Sequence, residues 1–225
     1  MQYKYLIKFE DGLEKTVDIR LNPATLDLAG APANNPPEWT RLGFCQCPVC
    51  PYSASTLPYC PVAVNLSEVT YMFSDKASTM TVDARVISDQ REYAKHTSLQ
   101  VALSSIIGIY MVSSGCRMME MLKPMVRHHL PFASLEETVF RSVSSYLMTQ
   151  YLRARKGLEP DWKLEKLGLA YKDIEVVNLA MTNRIRKASE KDANYNAVII
   201  LDAFAKMVPW SVEQGLPEKG FPLDR

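Results

Sequence analysis

At the start of the chain, apolar residues occupy alternate positions: Tyr3, Tyr5, Ile7 and Phe9 before Asp11-Gly12, then Val17, Ile19 and Leu21 after it. Alternation puts one side of a strand in a core and the other in water, and Asp-Gly is a strong two-residue turn signal, so the first 21 residues predict a β-hairpin. From 22 to 40 the pattern lapses. Pro23, Pro32, Pro36 and Pro37 remove backbone donors there, which predicts a connector rather than sheet. Residues 62–73 and 80–93 read as extended; in the second stretch Met80, Val82, Ala84 and Val86 recur at a spacing of two, with Thr81, Asp83 and Arg85 between them. A small antiparallel sheet is the expectation.

The period changes near residue 97. Thr97 with Gln100 forms a capping-box pattern before a long apolar run, and Gly115 marks a stop. Ser134 with Glu137 repeats the pattern and opens a helix in which Val139, Phe140, Val143, Leu147 and Tyr151 gather on one face before Gly157. Asp161 is the expected cap of a third helix, along which Leu164, Leu167, Tyr171, Ile174, Asn178, Met181, Ile185 and Ala188 alternate steps of three and four. A fourth, from about 192 to 208, places Ala193, Ala197, Ile200, Leu201 and Phe204 on one side, with Pro209 ending it. The fold class that follows is α+β. A β region over 1–96 carries a cysteine-rich loop and packs on a helical bundle of four to five helices over 97–213, and a tail with Pro217, Gly220 and Pro222 fills 214–225.

Composition narrows the function. A formal net charge of +1 provides no overall field toward nucleic acid or an anionic membrane. The first ten residues lack the unbroken apolar core of a secretion signal, and the most apolar window, 99–112, falls short of the roughly 20 apolar residues that cross a bilayer. The expectation is a cytoplasmic protein that binds neither nucleic acid nor membrane. In a reducing compartment, grouped thiols are more often metal ligands than disulfides.

Four of the five cysteines are grouped. Cys45-Gln46-Cys47-Pro48-Val49-Cys50 is followed after nine residues by Cys60-Pro61. A C-P-x-C step folds as a knuckle in which proline stiffens the turn and both sulfurs converge on one metal, and Cys60 on the return limb offers a third. The fourth position is open between Cys45, nearest in sequence, and Cys116, at the end of the first long helix. Four thiolates favour zinc; an iron–sulfur cluster is the alternative, since Cys47, Cys50 and Cys60 are each followed by proline. The matching functions are a non-enzymatic, zinc-stabilised binding or scaffold protein with a protein partner or a second copy of itself, or an iron–sulfur protein for electron transfer or oxidation sensing.

The remaining constellations have structural explanations. Met111, Met118, Met119, Met121 and Met125 around Cys116 are expected to fill core gaps rather than hold copper. The His128-His129 pair stands in no H-E-x-x-H or E-x-x-H motif and is expected to cap a helix end or bond at the surface. Asn178 and the run Asp192-Ala193-Asn194-Tyr195-Asn196 are expected to fix register and cap. The basic clusters 153–156 and 184–187 fall in last helical turns, where the helix dipole favours positive charge. No glycine-rich phosphate loop or nucleophile elbow is present, so no named reaction has support.

Cys47-Pro48-Val49-Cys50-Pro51, Cys60-Pro61-Val62-Ala63-Val64-Asn65-Leu66, the Thr97-Ser98-Leu99-Gln100 helix start, Ser114-Gly115-Cys116 and Asp192-Ala193-Asn194-Tyr195-Asn196-Ala197 together resemble an uncharacterised bacterial family, a domain of unknown function, over nearly the whole chain. The resemblance implies a cytoplasmic, single-unit protein and brings no activity. It also implies that the thiols at Cys47, Cys50 and Cys60 belong together more firmly than Cys45 does, which raises Cys116 as the fourth ligand.

Overall fold

The computed structural model describes residues 1–30 and 35–216, so the expected tail beyond 216 lies outside the described residues. Four strands, β1 (Gln2–Phe9), β2 (Glu14–Arg20), β3 (Thr81–Ser88) and β4 (Glu92–Ser98), form an antiparallel sheet in the order β2-β1-β3-β4. Among the described residues, five of six α-helices follow it: α1 (Pro61–Met72) precedes β3, while α2 (Leu99–Val112), α3 (Lys123–Arg127), α4 (Leu135–Arg155), α5 (Glu165–Ala188) and α6 (Ala193–Glu213) come after β4. The fold is α+β, as the pattern predicts.

The first hairpin forms where alternation places it, with Lys8 opposite Glu14. Its reversal is a four-residue loop, 10–13, rather than a two-residue turn: Phe9 N–H donates to Leu13 O, Asp11 accepts from Leu13 N–H, and Gly12 takes a φ of 86° that suits glycine. Tyr3, Tyr5, Ile7, Phe9, Val17, Ile19, Val82, Ala84 and Val86 are all buried on one face of the sheet. The other face is charged and wet, with Arg85 paired to Glu92 and Asp83 to His96 across β3 and β4. These exposed pairs add little stability, but charge along β4 discourages edge-to-edge association.

One expectation of extended chain, over 62–73, is corrected. Residues 62–72 are helical. Pro61 sits at the first helical position and Val62, Ala63, Leu66 and Val69 turn inward, a spacing that matches 3.6 residues per turn. The β-branched content of the stretch imitates a strand, and burial on one helical stripe overrides that propensity. Residues 80–93 are extended as expected but not as one strand: they hold the whole of β3, a reversal in which Ser88 bonds Arg91, and the start of β4.

Helix starts show what satisfies the free N–H groups of a first turn. Ser134 and Glu137 make the reciprocal capping box expected of them. Thr97 does not cap; it lies within β4, and α2 starts directly after the strand because Leu99 N–H donates to Met80 O and Gln100 N–H to Ser78 O. Asp161 serves α5 from four residues away, its carboxylate accepting from the N–H of Glu165 and Lys166 across a left-handed Leu164. α6 continues through Pro209, which is buried within the helix rather than ending it.

The α5 seam packs as expected, with Leu167, Tyr171, Ile174, Asn178, Met181 and Ile185 buried. α4 is less submerged than its pattern predicts. Val139 and Val143 are buried, whereas Phe140, Met148, Tyr151 and Leu152 are half exposed or more. A single cluster of buried apolar residues joins the inner face of the sheet to α1, α2, α5 and α6. Among the described residues, no single helix is long and apolar enough to cross a membrane.

Candidate metal centre

The cysteine-rich loop is pinned at its base. Leu42 N–H donates to Pro58 O at 2.9 Å and Cys60 N–H to Thr40 O at 2.8 Å, so the two limbs run side by side before the chain enters α1. Both Thr40 and Leu42 are buried. Arg184 of α5 reaches across to them and donates to the carbonyls of Trp39, Arg41 and Leu42, each at 2.7 Å. At 1% exposure this guanidinium is wholly inside the protein, not a surface charge at a helix end as its position in the sequence suggests. No carboxylate is paired with it among the described ion pairs.

Within the loop, Cys50 N–H donates to Cys47 O at 3.0 Å, closing the turn that the C-P-x-C step predicts. Cys60 and Cys116 occupy equivalent local positions. Cys60 is the residue before α1, and Cys116 is the residue before the 3-10 turn Arg117–Leu122, so each lies at the positive end of a helical segment. Cys60 and Cys116 are buried and Cys47 and Cys50 half-buried, all four as free thiols.

Electrostatics shows how these thiols are grouped. Burial first, with the charges of Cys50, Cys116 and Cys60 adding to it, pushes the Cys47 thiol up to about 12. Burial likewise raises Cys60, where the amides of Ala63 and Val62 and the charge of Arg184 pull the other way and Cys50 adds to the rise. Cys116 is raised by burial and by Cys60 and Cys50, against the amides of Met118 and Met119. Every pair among Cys47, Cys50, Cys60 and Cys116 is thus close enough to interact. Cys45 is half-buried, with Lys187 Nζ 4.0 Å from its sulfur. As the side chains stand, no three His, Cys, Asp or Glu among the described residues form a ready metal-holding group.

Two further residues act in ways their sequence context hides. His129 turns inward and shares a 2.6 Å hydrogen bond with the buried Tyr5 hydroxyl, with the Tyr3 ring edge-on at 5.2 Å. Burial of the ring, assisted by the charge of Arg141, brings its pKa down to about 3, so it is neutral at ordinary pH. His128 is exposed and follows α3 as its C-cap. Asp192 accepts from Ser78 N–H, Ser78 Oγ and Asn196 Nδ2, and Asn194 donates to Thr70 O, so this run fastens the start of α6 to the chain between α1 and β3. Met111 and Met119 are buried in the core.

The model of the family described as Domain of unknown function (DUF6901) matches residues 1–220, and the chain belongs to that family. No curated protein and no solved structure matches it.

Proposed function

We propose that this member of the family is a non-enzymatic, cytoplasmic binding or scaffold protein in which Cys47, Cys50, Cys60 and Cys116 hold one zinc ion. What supports the reading is that Cys47, Cys50, Cys60 and Cys116, drawn from three separate parts of the chain, lie within reach of one another's charge. Left to themselves Cys47, Cys60 and Cys116 stay protonated at pH 7, whereas a shared cation deprotonates such thiols and outweighs the repulsion between the thiolates. Zinc with four thiolates is doubly negative, and the buried Arg184 beside Cys60 supplies a compensating charge and loop-ordering hydrogen bonds of the kind that surround structural sites. Bringing the four sulfurs onto one ion would require side-chain rotations about the knuckle and the two helix starts.

The zinc would tie the loop to the start of α1 and to the turn after α2, releasing binding energy of about 10 kcal/mol into folding. Partner binding falls to the α4 side, where Met148, Tyr151 and Leu152 are about half exposed, with Leu158 and Trp162 in the following turn. Several exposed apolar side chains in one region are what a protein-binding face would present.

Elemental analysis and an absorption spectrum of anaerobically purified protein test the site. One equivalent of zinc in a colourless sample is expected; visible charge-transfer bands with bound iron would instead support the redox alternative. Cys116→Ser should lose metal and lower the melting temperature, as should Cys47→Ser with Cys50→Ser, while Cys45→Ser keeps both. Native protein free of zinc and iron, and equally stable in all these variants, defeats the proposal.

A further inference from the structure

A half-open cavity of about 450 Å³ lies between α2, α4, α5 and α6, closed below by the chain from Met119 to Phe132. That is within the size range of small-molecule sites. Most of its wall is apolar, with Ile109, Met111, Ile174 and Phe204 among the residues there, and three charged residues, Lys95, Glu137 and Arg141, also line it. Beside it is a second, more polar recess of about 510 Å³, bounded by the reversal between β3 and β4 and by the end of α3. His129, Leu130 and Arg141 line both, so the Arg141 side chain stands in the wall between them.

The guanidinium of Arg141 lacks an acid partner. It forms no ion pair among the described residues, and its Nη2 donates to the carbonyls of Met125 and His128 at 2.6 and 2.9 Å. Its Nε and Nη1 donate to nothing among the described residues, yet both keep some access to solvent. Burial lowers the pKa of this group, as it does for a charge partly stripped of water. Such a charge ordinarily has a counter-ion. Glu137, one turn earlier on α4, is the acid whose charge bears on it, but the Glu137 carboxylate accepts from Ser134 N–H at 2.7 Å in the helix cap. With Lys95 on the same cavity, and Arg91 and Arg127 against Asp89 in the adjoining recess, the surroundings stay positive.

We infer that the cavity binds a molecule of fatty-acid type, its apolar chain against the walls from α2, α5 and α6 and its carboxylate accepting from Arg141 through Nε or Nη1. A mostly apolar wall that includes one guanidinium without a counter-ion is complementary to an apolar chain that ends in one acid. A ligand with several charges would set most of them against hydrocarbon. The inference is independent of the zinc reading, since none of the cysteines lines either recess.

Calorimetric titration of the native protein with octanoate, octanol and acetate tests it. Octanoate is expected to bind more tightly than either of the others, because octanol lacks the charge and acetate lacks the chain. Arg141→Gln should weaken octanoate by about tenfold or more, the worth of one hydrogen bond to a charged group, and leave octanol affinity unchanged. If that variant does not fold, the Arg141 guanidinium resonances of the native protein serve instead, and octanoate but not octanol should shift them. No binding of octanoate, octanol or acetate bound as tightly as octanoate, equal octanoate affinity in the native and Arg141→Gln proteins, or guanidinium resonances that octanoate leaves unmoved, each overturns the inference.

Discussion

Arg184 and His129 share a history in the sequence: both look like surface residues because of their neighbours, and both turn inward, Arg184 completely and His129 in large part. Arg184 stands in a run of basic residues at the end of α5, yet three loop carbonyls depend on its guanidinium. Arg184→Met should therefore cost about 3 kcal/mol, roughly 1 kcal/mol for each acceptor left without a donor. Chemical denaturation measures the loss, and hydrogen exchange should show it first between residues 39 and 42. For His129 the effect is one of pH. Its folded pKa near 3 is below the unfolded value of about 6.5. Between those values the unfolded chain binds a proton that the native chain refuses, so stability is full above about pH 6.5 and declines as pH falls toward 3. The limit is about 1.4 kcal/mol per pH unit, and the true slope is smaller because part of the residue still reaches water. His129→Gln should flatten denaturation midpoints across that window. Neither residue was legible in the sequence, because charge patterning reports local context while both roles depend on partners more than 100 positions away.

Elements with one strong local signal formed where the pattern placed them. The first hairpin, the Ser134 capping box and the α5 seam each needed only period and caps to identify. Elements failed where tertiary contacts replaced a local device. α1 carries strand-like residues but lies on a core that rewards a helical stripe, and α2 takes backbone carbonyls from residues 78 and 80 in place of a Thr97 cap. Asp161 shows the intermediate case, a true cap displaced from its expected position. Its carboxylate also accepts from the Tyr146 hydroxyl at 2.8 Å, joining α4 to α5. Asp161→Ala should cost about 1–2 kcal/mol in thermal or chemical denaturation, with Asp161→Asn recovering part of it through the side-chain oxygen that remains.

For the whole molecule, the fold class was legible because it follows from the order of periods along the chain, two before four. The composition of the thiol cluster was only partly so. Cys47, Cys50 and Cys60 announce themselves by spacing, but the choice between Cys45 and Cys116 depends on how the end of α2 meets the loop, which no local pattern encodes. The exposed side of α4 was hidden for the opposite reason: an apolar stripe reads the same whether it faces a core or another molecule. If that stripe joins two copies, Met148→Glu with Leu152→Glu should convert a dimer to a monomer in sedimentation analysis with little change in melting temperature. A native chain that sediments as a monomer at high concentration would direct the search to a different protein instead.

The strand order has a temporal consequence. β1 borders both β2 and β3, and β3 begins more than 70 residues after β1 ends. On a ribosome adding about 5–20 residues each second, one edge of β1 waits for several seconds after its hairpin is complete. During that interval an open row of backbone donors and acceptors is available to any other nascent strand. The segment synthesised in the meantime contains the knuckle and Cys60, so early capture of an ion there would draw the ends of a long loop together before β3 arrives. Yield during expression should accordingly respond to metal supply more steeply than the stability of the finished protein does.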